Sequence, residues 1–234
     1  NIYFHQLSND INSLKNKVNS LSSRRGTCIC CGINKAIKNN VFGLTGKLKI
    51  LDQSGNKNNG DYIGFPIFPI YTTGIKKSAL EFNAVDYIKV PNSNSLNIAG
   101  KEITIAFWVN PTDTPGLRTI FEKQMANYPY LQYGVKIDKD YHFIFGDTTE
   151  ELRGISIKKA SYGIWQHIVF TYDGNFIRAY VNGVLDRSIS QTNEISPGLG
   201  DLIIGQGAGS RQKFVGKLDE LRLYNRALTA AEIQ

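Results

Sequence analysis

From Trp165 to Tyr172 the side chains form two alternating sets. Trp165, His167, Val169 and Thr171 share one side, and Gln166, Ile168, Phe170 and Tyr172 the other. Successive strand residues point to opposite faces, and both sets are largely apolar or aromatic, so the stretch predicts a strand covered on both sides. Asp173-Gly174-Asn175 is turn chemistry: Gly tolerates positive φ, and Asp and Asn bond their own backbone. A second strand, Phe176 to Val181, returns to Asn182-Gly183, a strong two-residue hairpin signal, so three strands in a meander are expected. Leu202 to Gly205 and the run from Phe214 continue the pattern, with no helical period before Leu228.

Upstream, strands are expected over 44–51, 78–82, 86–90, 103–109, 118–123, 131–137, 142–145 and 155–157, separated by Gly, Asp and Asn turns. The stretch Phe65 to Tyr71 is apolar but broken by Pro66 and Pro69, which fits an edge or a loop and not a central strand. Many short strands of this kind indicate an all-β antiparallel sandwich. The first residues follow another period. Phe4, Leu7, Ile11, Leu14, Val18 and Leu21 are spaced as heptad a and d positions with polar residues between, so residues 1–22 are expected to form a coiled-coil helix. The stripe is two positions in seven, narrower than that of a helix docked on its own domain, which favours self-association through residues 4–21. A basic linker over 23–43 follows, with Cys28, Cys30 and Cys31; one chain cannot pair three cysteines, and their spacing matches no mononuclear zinc site. They are either reduced thiols or inter-chain disulfides.

Several spaced motifs carry a resemblance. W-x-H-I-V-x-T-Y-D-G from Trp165, Y-V-N-G from Tyr180, I-I-G from Ile203, and F-x-G-x-L-D-E-L-R-L-Y-N-R-A-L-T-x-x-E-I from Phe214 occur together and in order. The chain closely resembles the laminin-G-like jelly-roll domains of the concanavalin A-like lectin and glucanase superfamily, over roughly residues 44–234. The resemblance implies a two-sheet antiparallel jelly roll for 44–234, with D-x-S-G-x-x-N-x-G at Asp52 as a family loop and 78–90 as an early hairpin. The tryptophan that members carry shortly before that loop is missing here, which leaves the first strand the least defined. Trp108 and Trp165 fall in family core motifs and are expected to be packed inside.

Charge separates the two regions. Of the net +7, all of the excess belongs to residues 1–50, where eight Lys and Arg face Asp10 alone; the rest of the chain carries equal numbers of either sign. The basic arm has no interleaved aromatics and no nucleic-acid motif, so a solvated face or an acidic protein partner explains it as well as nucleic acid does. No apolar run approaches the ~20 residues of a membrane-spanning helix.

Three chemistries are open to such a domain. Retaining glycosidases need two carboxylates about 5 Å apart, and on this fold they present E-x-D-x-E along one strand. Here the corresponding run is K-L-D-E-L-R from Lys217, with Lys and Arg where the outer acids should stand, and the three histidines show no nucleophile spacing. An enzyme is not expected. Calcium takes six to eight oxygen ligands. Asp52 and Asn56 in the loop offer such oxygens, and the resemblance adds Asp219 near a structural ion; turn capping and ion pairing with Arg222 or Arg226 are the competing roles. Glycan sites stack a sugar on an aromatic ring and bond its hydroxyls through polar side chains. Tyr128, Tyr130 and Arg211, in the loops 126–133 and 206–213, are the candidates.

The expectation is a non-enzymatic carbohydrate-binding or adhesion module on an oligomeric stalk, in a virion fibre or other extracellular surface protein that recognises glycans. The alternative is a structural surface or virion protein whose jelly roll only assembles. β-branched a residues with Leu at d favour dimers, whereas fibres of this layout are by resemblance trimers; a trimer is expected ahead of a dimer.

Overall fold

The computed structural model describes residues 49–64, 69–125, 130–158, 160–207 and 212–234. The stalk seam 4–21, the cysteine linker, the start of the first strand, and Tyr128 and Arg211 lie outside the described residues.

Fifteen strands are described: β1 (Lys49–Ile50), β2 (Gly60–Ile63), β3 (Ile70–Thr73), β4 (Ser78–Asn83), β5 (Tyr87–Val90), β6 (Ile103–Pro111), β7 (Arg118–Gln124), β8 (Leu131–Ile137), β9 (Asp140–Gly146), β10 (Leu152–Lys158), β11 (Gln166–Tyr172), β12 (Phe176–Val181), β13 (Val184–Ser190), β14 (Leu202–Ile204) and β15 (Val215–Tyr224). One helical turn, α1 (Ala230–Ile233), follows. The strands form two antiparallel sheets, ordered β1-β2-β5-β14-β7-β8-β9-β10 and β13-β12-β11-β6-β15-β4-β3. This is the expected two-sheet jelly-roll sandwich, in which the chain repeatedly leaves one sheet for the other: β6 to β7, β10 to β11, β13 to β14, β14 to β15.

The meander is as the sequence reads it, with β11, β12 and β13 adjacent. Asn182 and Gly183 both have positive φ, 52° and 81°, the backbone that a two-residue turn needs to match strand twist. Ile168, Phe170 and Tyr172 are fully buried between the sheets. Phe170 stacks on Phe143 at 5.5 Å, Tyr172 on Phe145 at 5.3 Å, and Phe107 meets Phe121 edge-on at 6.0 Å. Each contact joins a strand of one sheet to a strand of the other. Burying one such ring contributes about 1.5–3 kcal/mol.

The early hairpin is not formed. β4 pairs with β3 and β15, whereas β5 pairs with β2 and β14 in the opposite sheet. A corner between them is fixed by Asp86, fully buried, whose carboxylate accepts the Asn83 N–H at 3.1 Å and the Tyr62 hydroxyl at 2.9 Å. Two adjacent strand-like runs do not encode whether the turn between them doubles back or crosses over. Of the Pro-broken apolar stretch, the described end continues into β3, an edge strand.

The segment 191–201, which crosses from β13 to β14, is tied down by two buried charges. Lys123, with no exposed surface, donates to Asn92 Oδ1 at 2.7 Å, to the Gly198 carbonyl at 3.1 Å and to the Gly200 carbonyl. Asp147, 1 % exposed, accepts the Thr149 N–H and hydroxyl, the Glu151 N–H, the Arg153 Nε–H and the Asn193 amide, all at 2.6–3.0 Å. Burial alone would raise the Asp147 pKa; the bonds from Thr149, Arg153 and the backbone outweigh it and hold the carboxyl well below the usual carboxylate range.

A carboxyl with a depressed folded pKa stabilises fully above its unfolded pKa, about 3.9, and that contribution is lost as pH falls further. Asp147→Ala is expected to cost about 3 kcal/mol at pH 7 by stranding these donors. Its melting temperature should fall less than that of the unmodified chain between pH 5 and 2. Equal melting temperatures at pH 7 would show that Asp147 does not hold the crossing segment.

Candidate functional site

The outer face of the seven-stranded sheet carries a cavity of about 290 Å³ over β6, β11 and β15. Its floor is Ala106 of β6 and Val169 of β11, both buried, and they cluster with Tyr180, Ile233 and Leu228. The small side chain of Ala106 leaves the depression. One wall is Trp108 and His167, which face each other in the β6–β11 register and stack with centroids 5.0 Å apart and planes 24° apart. Burial lowers the His167 pKa, and the Arg222 charge lowers it further, so the ring is neutral at pH 7.

The opposite edge comes from β15 and depends on an irregularity. Asp219 pairs with Trp108 and Arg222 with Ala106, so three steps on β15 match two on β6. Glu220, at the bulge, takes φ 50°, an uncommon conformation for a residue other than Gly. The extra residue lets Leu218 and Leu221, an odd three positions apart, both stay fully buried, while Glu220 and Arg222 both line the cavity. Arg222 and Glu220 form an ion pair. The remaining wall is the C-terminal segment. Thr104 of β6 donates to the Arg226 carbonyl at 2.8 Å and accepts the Leu228 N–H at 2.9 Å, which lays the segment over the sheet. A capping box follows: the Thr229 side chain accepts from the Glu232 N–H, and the Glu232 carboxylate from Thr229. Arg226 grips the same carboxylate at 2.7 and 3.0 Å, so the Glu232 pKa is pulled down to about 2, first by Arg226 and then by the Thr229 N–H. Glu232, Ile233 and Gln234 close that side.

The arrangement offers an aromatic wall, an apolar floor, and charged groups arranged as donor–acceptor pairs. Such a lining is chemically suited to a small, partly apolar, hydroxyl-bearing molecule.

Of the sequence candidates for a glycan site, only Tyr130 is among the described residues. Tyr130, the described one of the three glycan candidates, sits before β8 at φ 63° and 57 % exposed. Trp108 and Trp165 are both half-buried and not core residues, and Trp108 stands on the outer face. The alternation through 165–172 already marked His167 and Val169 as sharing a face; the signal missed was that its cross-strand neighbour would be Trp108.

The three metal candidates fall in two places, Asp52 and Asn56 in one loop and Asp219 on β15. Asp52 accepts the Ser54 N–H and hydroxyl at 2.8 and 2.7 Å and the Asn58 N–H at 2.9 Å, while Asn56 is exposed nearby. Asp219, 1 % exposed, accepts Ile75 and Lys76 N–H at 2.9 and 3.0 Å on one oxygen and its neighbour Glu220 N–H at 2.8 Å on the other. A β-carbon on Gly74 would meet that carboxylate at 2.5 Å, so the turn closes around Asp219 only with glycine there. Burial pushes the Asp219 pKa up, opposed by these N–H groups. The donors aimed at both carboxylates are N–H and O–H groups, where a cation site would present further oxygens, so the residues present do not fit a calcium cage. Among the described residues no three His, Cys, Asp or Glu are grouped to hold an ion.

One arrangement escaped sequence spacing altogether. His142 of β9 lies between Ser156 of β10, 2.7 Å from Nδ1, and Asp138, 3.0 Å from Nε2. It sits on the outer face of the eight-stranded sheet, a cross-strand pair bonded to a turn, and it borders a depression of only about 10 Å³ through Asp138. A nucleophilic site needs room for a substrate beside it, and this depression gives almost none.

The comparisons with known proteins accord with this architecture. The family model for the laminin G branch of the concanavalin A-like lectin/glucanases superfamily matches residues 82–234. The chain belongs to that superfamily. Among curated proteins it is similar to the Sushi, von Willebrand factor type A, EGF and pentraxin domain-containing protein 1 of Mus musculus and of Rattus norvegicus, 26 % identical over 151 residues in each; these cover 56 % of this chain and 4 % of either relative. Among solved structures it is similar to the binding domain of Paraclostridial Mosquitocidal Protein 1, with TM-score 0.64 and 20 % identity over 79 % of this chain and 48 % of that one. It is also similar to domain 4 of AbnA, an extracellular arabinanase from Geobacillus stearothermophilus, in complex with arabinotriose, with TM-score 0.62 and 22 % identity over 78 % and 89 %. A botulinum neurotoxin type C structure, described as dependent on two ganglioside molecules for cell entry, aligns with TM-score 0.60 and 12 % identity over 79 % and 47 %. These likenesses show the fold.

Chelation tests the turn-anchor reading of Asp52 and Asp219. Melting curves with a calcium chelator and with millimolar calcium should coincide, because a ligand that does not bind the native state shifts nothing. A melting temperature raised by calcium would reinstate a cation.

Proposed function

We propose that this chain is a non-catalytic carbohydrate-binding module of an extracellular, cell-surface or virion protein, and that it takes its glycan in the cavity beside Trp108 and His167. One observation carries the reading: a stacked aromatic pair stands over an apolar floor and opposite a paired Glu and Arg. Sugar rings present C–H faces to aromatics and hydroxyls to paired donors and acceptors. The saccharides named with the arabinanase domain and the neurotoxin support the same ligand class on this fold.

The carboxylates support the non-catalytic part of this proposal. Glycoside hydrolysis needs one protonated acid near neutral pH. Glu220 is tied to Arg222, and Glu232 is held ionised by Arg226 and Thr229. Both carboxylates are committed to guanidinium partners, which supports a binding role.

In this proposal residues 4–21 form a self-associating stalk, trimeric ahead of dimeric, and the basic arm around it meets an acidic protein partner. Removing residues 1–25 should lower the number of chains per particle in light scattering while the β-sheet circular dichroism stays. An unchanged oligomer would mean that the sandwich assembles by itself.

A glycan array probed with the full chain should return saccharide ligands, and Trp108→Ala should lower their affinity about tenfold or more, in line with the 1–3 kcal/mol that aromatic contacts of this size supply. Its melting temperature provides the control for folding. Silence across broad glycan classes favours a purely structural role.

A further inference from the structure

The geometry points to a preference for uncharged saccharide ends over acidic ones, an inference that rests on the site reading just given. It comes from how the charges at the cavity are already committed. Arg222 is the cation that lines it, and it is paired with Glu220. Arg226, beyond the rim, is paired in a two-pronged bond with Glu232. His167 is neutral at pH 7. The lining itself therefore holds two carboxylates against one guanidinium.

A sialic or uronic carboxylate entering this space meets Glu220 and Glu232 as like charges. To reach the Arg222 guanidinium it must lie against the Glu220 carboxylate already paired with it, a side chain only 11 % exposed. Two carboxylates held close together and largely out of water repel each other, a cost that one guanidinium offsets only in part. A hydroxyl group meets no such repulsion. It donates to a Glu220 or Glu232 oxygen and accepts from Arg222 or Gln234 in the same position, leaving the ion pairs intact.

Size and shape narrow the ligand further. At about 290 Å³ the cavity lies at the small end of ligand pockets, roughly 300–1,000 Å³. It is walled on the C-terminal side by Ile233 and Gln234. One terminal ring fits that space better than the interior of an extended polysaccharide. Its less polar face would lie along Trp108 and over Ala106 and Val169, with its hydroxyls directed to β15 and Glu232.

Isothermal calorimetry or saturation-transfer NMR on the full chain decides the matter with paired oligosaccharides. The neutral probes are galactose-, glucose- and arabinose-terminated; the acidic ones are the galactose probe capped with sialic acid and a glucuronate-terminated analogue. The neutral probes are expected to bind about tenfold or more tightly than their acidic counterparts. Glu220→Gln removes the competing carboxylate and leaves Arg222 available, so it should narrow or reverse that ratio while circular dichroism and melting report folding. Acidic probes that bind as well as neutral ones, and lose binding with Trp108→Ala, would overturn the inference and leave the site standing. Binding of neither class, or binding that survives Trp108→Ala, would overturn the site and the inference together.

Discussion

Stacked rings join the two sheets of this sandwich, Phe143 on Phe170, Phe145 on Tyr172 and Phe107 edge-on to Phe121. Their packing fixes which way every other residue of β6 and β11 must face. Once Phe107, Ile168 and Phe170 are committed to the interior, Ala106, Trp108, His167 and Val169 have only the outer face to occupy. An outer face that is itself apolar is costly to leave in water. The C-terminal segment covers part of it, with Leu228 and Ile233 on the floor and Thr104 holding the backbone down. The uncovered part is the cavity. The site thus stands on central strands of a rigid sheet and not on loops, which favours a preorganised geometry.

The bulge in β15 is the second constraint. Leu218 and Leu221 both need the core, and strict alternation cannot place residues three apart on one side. The chain accepts a left-handed Glu220 to satisfy both. With the register so shifted, Asp219 turns into the Gly74–Lys77 turn as its anchor, and Glu220 and Arg222 come to line the outer face as a pair. One irregularity therefore gives Asp219 a turn-anchoring role and places Glu220 and Arg222 in the cavity lining.

Much of this was legible in the sequence, and the reasons for the remainder are physical. Strands β8 and β12 fall on the residues that alternation marks, as does the Asn182–Gly183 turn. Local pattern and turn chemistry carry that information. The β4–β5 connection was read as a hairpin because sheet membership is set by distant partners, β15 and β14. Lys123 gave no sign of burial, since the carbonyls that satisfy it come from the crossing segment some 75 residues downstream. The Trp108–His167 wall was missed for the same reason: two strands that never touch in sequence must be registered before their outer faces can be compared. For Asp52 and Asp219 the sequence leaves two roles open, because capping a turn and holding an ion both call for carboxylates beside glycine.

The central claim is that the ligand lies on the outer face of the seven-stranded sheet, against Trp108. The chain has two indole N–H groups, Trp108 and Trp165, and only the first lines the cavity. A heteronuclear NMR titration with a bound saccharide reads both at once. The account predicts that the Trp108 indole resonance and the backbone amides of 106–108, 167–169 and 220–222 shift, while the Trp165 indole stays in place. Shifts confined to the loops 126–133 and 206–213, with Trp108 unmoved, would contradict it.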